Sequence, residues 1–107
     1  MIQKIPGLQI LNFRSDIRPN YWFYSLLCDK NYPLDRDGII QHLASKGVQS
    51  RAHYGGLISD QKPYLNCQTY RIEKARYYWE HVVNLPCSTN LTEEEVLYVV
   101  ECLRKAG

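Results

Sequence analysis

The chain has 107 residues, of which 45% are hydrophobic, and a formal net charge of +2. This length corresponds to one domain, and the apolar content excludes a disordered chain. So small a net charge excludes strong electrostatic attraction to nucleic acid or to an anionic membrane. We therefore predict a single folded domain over residues 1–107, with residues 1–7 as an irregular lead-in and with no nucleic-acid or membrane partner.

The spacing of the cysteines and the N-terminal residues indicate the cellular compartment of the protein. No two of the 4 cysteines form a C-x-x-C pair, and none lies at zinc-ligand spacing from a histidine. The first residues lack the continuous apolar segment of a signal peptide, and no stretch is long enough to span a membrane. We expect reduced thiols, no metal site and a cytoplasmic protein.

The first part of the chain predicts two strands separated by a loop. Residues 8–13 alternate imperfectly between apolar and polar side chains, which favours a short strand. Residues 14–20 are polar and contain Pro19, as is typical of a loop. Residues 21–28 are aromatic and uncharged, and both of their faces are largely apolar, which indicates a central strand covered on both sides.

The middle of the chain carries the start and stop signals of a helix. Asp35 is a suitable N-cap for a helix that runs to about Lys46. Gly47 fits the position just after the helix, where a left-handed backbone conformation is common. Apolar residues at helical spacing predict one buried stripe. The stripe consists of Ile39, Ile40 and Leu43.

The remaining elements follow from the same kinds of pattern. Residues 48–52 predict a short strand, residues 68–83 an amphipathic helix, and residues 83–87 an edge or terminal strand. Thr92 and Glu95 form a capping box that begins a final helix. The side chains predicted to be buried on that helix are Val96, Val99, Val100 and Leu103.

The predicted order of elements defines a fold class. It runs strand, strand, helix, strand, helix, strand, helix. This order indicates an α/β domain of the two-layer α+β kind. We expect a small sheet of three to four strands with about three helices packed mainly on one face.

The stretch over residues 50–64 is the candidate functional region. Arg51, His53 and Tyr54 bring a fixed cation, a titratable ring and a phenol within four positions, and two glycines follow them. A strand that ends in such a loop is a common place for binding residues, because a rigid scaffold positions the loop. From composition alone, an ordinary solvent-exposed loop is the alternative interpretation.

Short motifs also follow one another in a fixed order along most of the chain. They are Tyr21-Trp22, Asp35-Arg36-Asp37, Lys46-Gly47-Val48, Ser50-Arg51, His53-Tyr54, Gln61 with Pro63-Tyr64, Leu85-Pro86 and Leu91-Thr92-Glu93-Glu94-Glu95. From about Leu8 onward, the ordered set resembles the C-terminal small domain of the DegT-type (DegT/DnrJ family) aminotransferases. No single motif is specific, whereas the series as a whole is.

The resemblance implies a function and a set of contacts. Members of the family are pyridoxal-phosphate (PLP) enzymes of fold type I that mostly act on nucleotide-linked keto sugars. Arg51 would contact a phosphate or carboxylate, since its guanidinium fork pairs with such groups. His53 and Tyr54 would orient sugar hydroxyls by hydrogen bonding. Gln61 and Tyr64 are possible loop contacts. The alternatives are a structural ion pair for Arg51 and a backbone hydrogen bond for His53.

The resemblance also implies that a large N-terminal domain is missing from this chain. In the family that domain carries the Schiff-base lysine, which must be held in a preorganised pocket. The lysines here fall in the lead-in, in turns or loops, at helix ends or on polar faces. They are Lys4, Lys30, Lys46, Lys62, Lys74 and Lys105. We therefore expect no catalytic or cofactor-binding residue, PLP in the intact enzyme alone, and an isolated chain that is an inactive fragment or split gene product.

The resemblance also implies binding partners for the intact enzyme, and the sequence leaves two alternative functions open. The intact enzyme would be a homodimer that binds a nucleotide sugar and an amino donor, and some relatives are dehydratases instead. A stand-alone protein-interaction module is the main alternative, since the chain contains 9 tyrosines and such residues dominate interface anchors. A single-stranded nucleic-acid binder that stacks bases on Tyr21, Trp22 and Tyr24 fits poorly with the near-neutral charge.

Overall fold

The computed structural model describes residues 1–106. In that range, the strands are β1 (Leu8–Ile10), β2 (Tyr24–Cys28) and β3 (Val82–Leu85), and the helices are α1 (Arg36–Ser45), α2 (Glu73–His81) and α3 (Glu93–Arg104). Short 3-10 turns lie at Ile2–Lys4, Ile58–Asp60 and Lys62–Tyr64. The α/β class predicted from the sequence is confirmed.

The three strands form one open antiparallel sheet in the order β1-β2-β3. Leu8 lies opposite Cys28 in the first pair of strands, and Tyr24 lies opposite Leu85 in the second. The prediction of a central strand is therefore confirmed for β2, and β3 forms an edge of the sheet.

The hydrophobic core lies between one face of the sheet and the helices α1 and α3. Residues alternate between the two faces of a strand, so Leu26 points into this core while Ser25 points to the opposite face. Helix α2 contacts β2 on that opposite face, where Tyr78 and Ser25 line the same hollow. The largest fully buried side chains are Leu26, Ile39, Leu43, Leu103 and Val83.

The signals that begin and end the helices act as predicted. The Asp35 side chain accepts a hydrogen bond of 2.7 Å from the Gly38 amide, which begins α1. Gly47 has a φ of 78°, so a left-handed residue follows α1. At α3, Thr92 accepts from the Glu95 amide and Glu95 accepts from the Thr92 amide, which completes the capping box.

Two predicted elements are shorter than expected because a left-handed residue lies inside each. Tyr21 has a φ of 50°, which is incompatible with a continuous strand over residues 21–28, and pairing begins at Tyr24. Arg71 has a φ of 49°, so α2 does not extend back to residue 68 and begins at Glu73 instead. Sequence periodicity does not reveal such single-residue reversals.

The strand predicted over residues 48–52 is wrong. Only Arg51 pairs with the sheet, through an isolated bridge in which its amide and carbonyl both bond to Asn84. The chain then leaves the sheet edge and turns through Gly55 and Gly56, which both have positive φ.

The lead-in over residues 1–7 is more ordered than predicted. It contains the Ile2–Lys4 turn, and Ile2 and Ile5 are buried in the core. These two isoleucines are three positions apart, a spacing that places both on one side of a 3-10 turn.

Candidate functional site

A polar cleft of about 260 Å³ lies where the edge strand β3 meets the segment that follows α1. Its lining combines a cation, an imidazole, a hydroxyl, an amide, a thiol and an indole. The residues that carry these groups are Arg51, His53, Ser50, Gln49, Cys87 and Trp22. The cleft therefore brings two of the three predicted binding residues, Arg51 and His53, to one place.

Arg51 is held by its backbone, and its side chain is exposed. Its amide donates to the Asn84 carbonyl at 3.1 Å, and its carbonyl accepts from the Asn84 amide at 2.8 Å. Its guanidinium makes no ion pair within residues 1–106, so the structural alternative for Arg51 has no support in that range. A fixed backbone and an unpaired head group suit a residue that meets an anion from outside the chain.

Ser50 contributes a buried hydroxyl to the same cleft. The residue is 8% exposed, and its Oγ has no hydrogen-bond partner in the part of the chain that the structure describes. A buried polar atom without a partner costs free energy, so such atoms are rare in folded proteins. The Ser50 hydroxyl therefore leaves a buried hydrogen-bonding group at the wall of the cleft that the described residues do not satisfy.

His53 is fixed by a stacking contact and a side-chain hydrogen bond. Its ring stacks on Phe23, with 4.6 Å between the ring centroids. Its Nδ1 lies 2.9 Å from the Asn84 amide nitrogen Nδ2. The partner of the ring is therefore a side chain and not the backbone, unlike the structural alternative considered from the sequence.

Tyr54 lies apart from the cleft. It is 71% exposed and packs edge-on against Phe23, with 5.8 Å between the centroids. It faces a neighbouring hollow of about 410 Å³ between the loop and α2. The structure thus separates Tyr54 from Arg51, although the two are close in sequence.

Gln61 and Tyr64 line neither cavity. The Gln61 amide donates to the Leu57 carbonyl at 3.4 Å, which is a contact within the loop. Tyr64 lies in the last 3-10 turn and is largely exposed. A role for either residue in binding stays a prediction from the resemblance.

An ion pair ties the loop to helix α2. Arg76 donates two hydrogen bonds to the Asp60 carboxylate, at 2.9 and 3.1 Å, and Asp60 also accepts from the Leu57 amide. The Arg76 hydrogen bond, followed by the one from Leu57, lowers the pKa of the Asp60 carboxyl from its ordinary value. The loop that carries Tyr54 is therefore anchored by polar contacts.

Several residues of the site were not predicted from the sequence, among them Gln49 and Cys87 in the cleft lining and three further polar residues. Asn84 is buried in β3, Ser25 lies on β2, and Tyr78 lies on α2. Burial raises the pKa of Tyr78, and its hydrogen bond with Ser25 partly offsets that effect. Of these residues, Asn84 could have been recognised from the sequence, because it is the single polar residue within the apolar run over residues 82–85.

The lysines of the described residues lie away from the polar cleft and from the hollow beside it. Every lysine in residues 1–106 is exposed. A Schiff-base lysine requires a desolvated pocket, which these positions do not offer. Residues 1–106 also contain no cluster of three or more His, Cys, Asp or Glu able to hold a metal ion.

The cysteines and the helices were also the subject of predictions. All 4 cysteines are free, two of them buried and two exposed. No helix in the described range is long and apolar enough to cross a membrane.

The fold is a small α/β domain, and a polar cleft that bears a cation lies at the edge of its sheet. The model of the DegT/DnrJ/EryC1/StrS aminotransferase family matches residues 1–104. The chain therefore belongs to this family, and the resemblance seen in the sequence motifs is confirmed.

Individual relatives agree with the family match. The dTDP-4-amino-4,6-dideoxy-D-glucose transaminase of Shigella dysenteriae is 24% identical over 105 residues, which are 97% of this chain and 29% of that protein. This chain therefore spans less than a third of the length of that relative. The match gives no support to the alternative of a stand-alone interaction module.

Solved structures share the fold. The aminotransferase TlmJ from Streptoalloteichus hindustanus superposes with a TM-score of 0.82 at 20% identity, over 98% of this chain and 27% of that one. DesI, solved in the presence of its TDP-sugar product, superposes with a TM-score of 0.83 at 19% identity, over 96% of this chain and 26% of that one. At these identities the likeness establishes the fold.

Proposed function

We propose that this chain is the C-terminal small domain of a PLP-dependent aminotransferase that acts on a nucleotide-linked keto sugar. The observation that carries the proposal is the joint placement of Arg51, Ser50 and His53 in one cleft, within a chain that belongs to the aminotransferase family. The relative in Shigella is named for a dTDP-amino sugar, and DesI was solved with a TDP-sugar product.

The chemistry of the cleft suits the two ends of such a substrate. Arg51 offers a planar cation with several N–H donors, which matches a phosphate group. The imidazole of His53 and the hydroxyl of Ser50 both suit the hydroxyl and carbonyl oxygens of a sugar. In this role the chain binds and orients the substrate and covers one side of the active-site cleft.

The remaining machinery belongs to the rest of the enzyme. Because every lysine of residues 1–106 is exposed, the proposal assigns the cofactor-binding lysine to a large N-terminal domain. The same proposal includes an amino donor as second substrate, a homodimer assembled largely through that domain, and a cytoplasmic location. The shares of 26–29% of the relatives' lengths support this division.

Under this proposal a longer polypeptide joins the large N-terminal domain to this chain, and the test compares that polypeptide with the 107-residue chain. Both are assayed with PLP, a nucleotide-linked keto sugar and an amino acid as amino donor. We expect turnover by the longer polypeptide and none by the chain alone. Turnover by the chain alone would overturn the assignment of the cofactor lysine. A longer polypeptide that transaminates no sugar in a panel of such nucleotides would overturn the substrate class.

A further inference from the structure

A chain of side-chain hydrogen bonds runs beneath the cleft and ends at His53. Ser25 on β2 bonds to Asn84 on β3, and Asn84 bonds to His53 on the loop. The network thus connects three separate segments of the fold. Its last member is one of the groups that the proposed function places against the substrate.

The network has a direction, which Ser25 sets. Its hydroxyl carries one proton and gives it to the Asn84 oxygen Oδ1. With Oδ1 occupied, Asn84 turns its Nδ2 towards His53, at 2.9 Å from Nδ1. An amide nitrogen is a donor alone, so Nδ1 of His53 is the acceptor.

The direction of the network fixes the tautomer of His53. A neutral imidazole carries one proton, and a ring that accepts at Nδ1 carries it at Nε2. Stacking on Phe23 holds the plane of the ring, with an interplanar angle of 26°. Asn84 itself is 7% exposed, and its backbone is held by the double bridge to Arg51. The donor to His53 therefore has little freedom to turn away.

We propose that Asn84 is a positioning residue that holds His53 as the Nε2–H tautomer, so that the ring presents a hydrogen-bond donor to the substrate. The same residue places Arg51 through its backbone, so Asn84 sets the geometry of both groups. The inference rests on the proposed function for the identity of the ligand. The tautomer itself does not depend on any ligand.

The direct test is nitrogen-15 NMR of the histidine rings in the 107-residue chain without ligand. The spectra are recorded at about pH 8.5, well above the ordinary histidine pKa of about 6.5. We expect the His53 Nε2 resonance in the range of a protonated nitrogen and Nδ1 in the range of an unprotonated one. The opposite assignment would overturn the proposal.

Since the Nε2–H tautomer is also accessible to a free imidazole, variants are needed to show that Asn84 holds it. In Asn84→Asp the new carboxylate accepts a proton from Nδ1–H, and we expect the two nitrogen resonances to exchange their ranges. In Ser25→Ala the amide loses the donor that orients it, and we expect both nitrogens to move towards averaged positions. Unchanged His53 resonances in both variants would contradict the role of Asn84.

A matched control separates these effects from an added negative charge. Asn66→Asp makes the same chemical change at an exposed position that lines neither cavity, and it should leave the His53 resonances in place. Backbone amide spectra report whether each variant is folded. If Asn84→Asp fails to fold, Ser25→Ala alone decides the question, because it removes one hydroxyl and adds no charge.

Measuring kcat/KM in the longer polypeptide tests whether the His53 tautomer affects binding of the substrate. Asn84→Asp should lower kcat/KM for the nucleotide sugar about tenfold, as expected for one lost hydrogen bond to substrate. A variant with exchanged tautomer and unchanged kcat/KM would contradict the functional role of Asn84. The NMR result stands even if the longer polypeptide acts on another substrate, so the two failures can be told apart.

Discussion

The core beneath the sheet and the loop over residues 50–72 are held together by different forces. In the core, the buried apolar side chains of β2, β3, α1 and α3 pack against one another. In the loop, most side chains are exposed, and the contact that ties it to α2 is the pair of hydrogen bonds between Arg76 and Asp60. The cleft lies where these two regions meet, on the bridge between Arg51 and Asn84.

This difference indicates that apolar burial stabilises the fold, whereas hydrogen bonds orient the side chains of the site. Burial of apolar surface is non-directional, so the core supplies stability without requiring any particular hydrogen bond. Hydrogen bonds are directional, so the contacts of Asn84 place Arg51 and His53 in defined positions. A stable frame and an oriented site thus come from separate sets of residues, and the two sets can be disturbed separately.

The largest expected effect comes from truncating the core. Leu26 is 0% exposed and Leu65 is 62% exposed, so the same change to alanine probes the two regions. Leu26→Ala should lower the free energy of unfolding by about 2–5 kcal/mol. Leu65→Ala should change it by less than about 0.5 kcal/mol.

Urea unfolding of both variants at one temperature measures this contrast. Equal slopes with different midpoints attribute the change to stability and not to a different unfolded state. Losses of similar size in Leu26→Ala and Leu65→Ala would show that the loop is packed as the core is, and would remove the distinction between the two regions.

A smaller effect is expected at the loop anchor and depends on pH. The pKa of the Asp60 carboxyl is lowered in the folded protein, so its pair with Arg76 stabilises the loop above the ordinary pKa of about 3.9. That stabilisation is lost as the pH falls through the lowered pKa of the folded state. The protection of the Leu57 amide, measured as its exchange rate relative to that of an unstructured chain at the same pH, should therefore fall on acidification before the protection of the β2 amides does.

Asp60→Asn is the matched variant, because it removes the titrating group at nearly constant size. In this variant the Leu57 amide should be less protected at neutral pH than in the wild type, and the loss of protection specific to acid should disappear. If Leu57 and the β2 amides lost protection together in the wild type, the loop and the core would unfold as one unit.

Much of the frame was predictable, because local signals determine it. The caps at Asp35 and Thr92 and the apolar stripes each act within a few positions along the chain. The predictions of element boundaries fail where a single backbone angle, or a partner distant in the sequence, determines where an element begins or ends. Tyr21 and Arg71 adopt left-handed conformations without a glycine, and residues 48–52 find one partner on β3 in place of a full strand.

The site was predictable in part for a similar reason. Arg51 and His53 are two positions apart and reach the same cleft, while Tyr54, the next residue, faces the hollow beside it. Asn84 lies 31 positions from His53, and its pairing depends on the position of β3 at the sheet edge. A contact between residues so far apart in the sequence cannot be predicted from the spacing of residues.

The most direct test of the whole account is the kinetic effect of Arg51→Ala in the longer polypeptide. Loss of a charge-assisted hydrogen bond to a phosphate should lower kcat/KM for the nucleotide sugar roughly tenfold to a hundredfold, with little change in thermal stability. Arg18→Ala, which removes an exposed arginine outside the cleft, is the control and should have no effect. A kcat/KM for Arg51→Ala equal to that of the control would contradict the account, because it would remove the cleft from the substrate site.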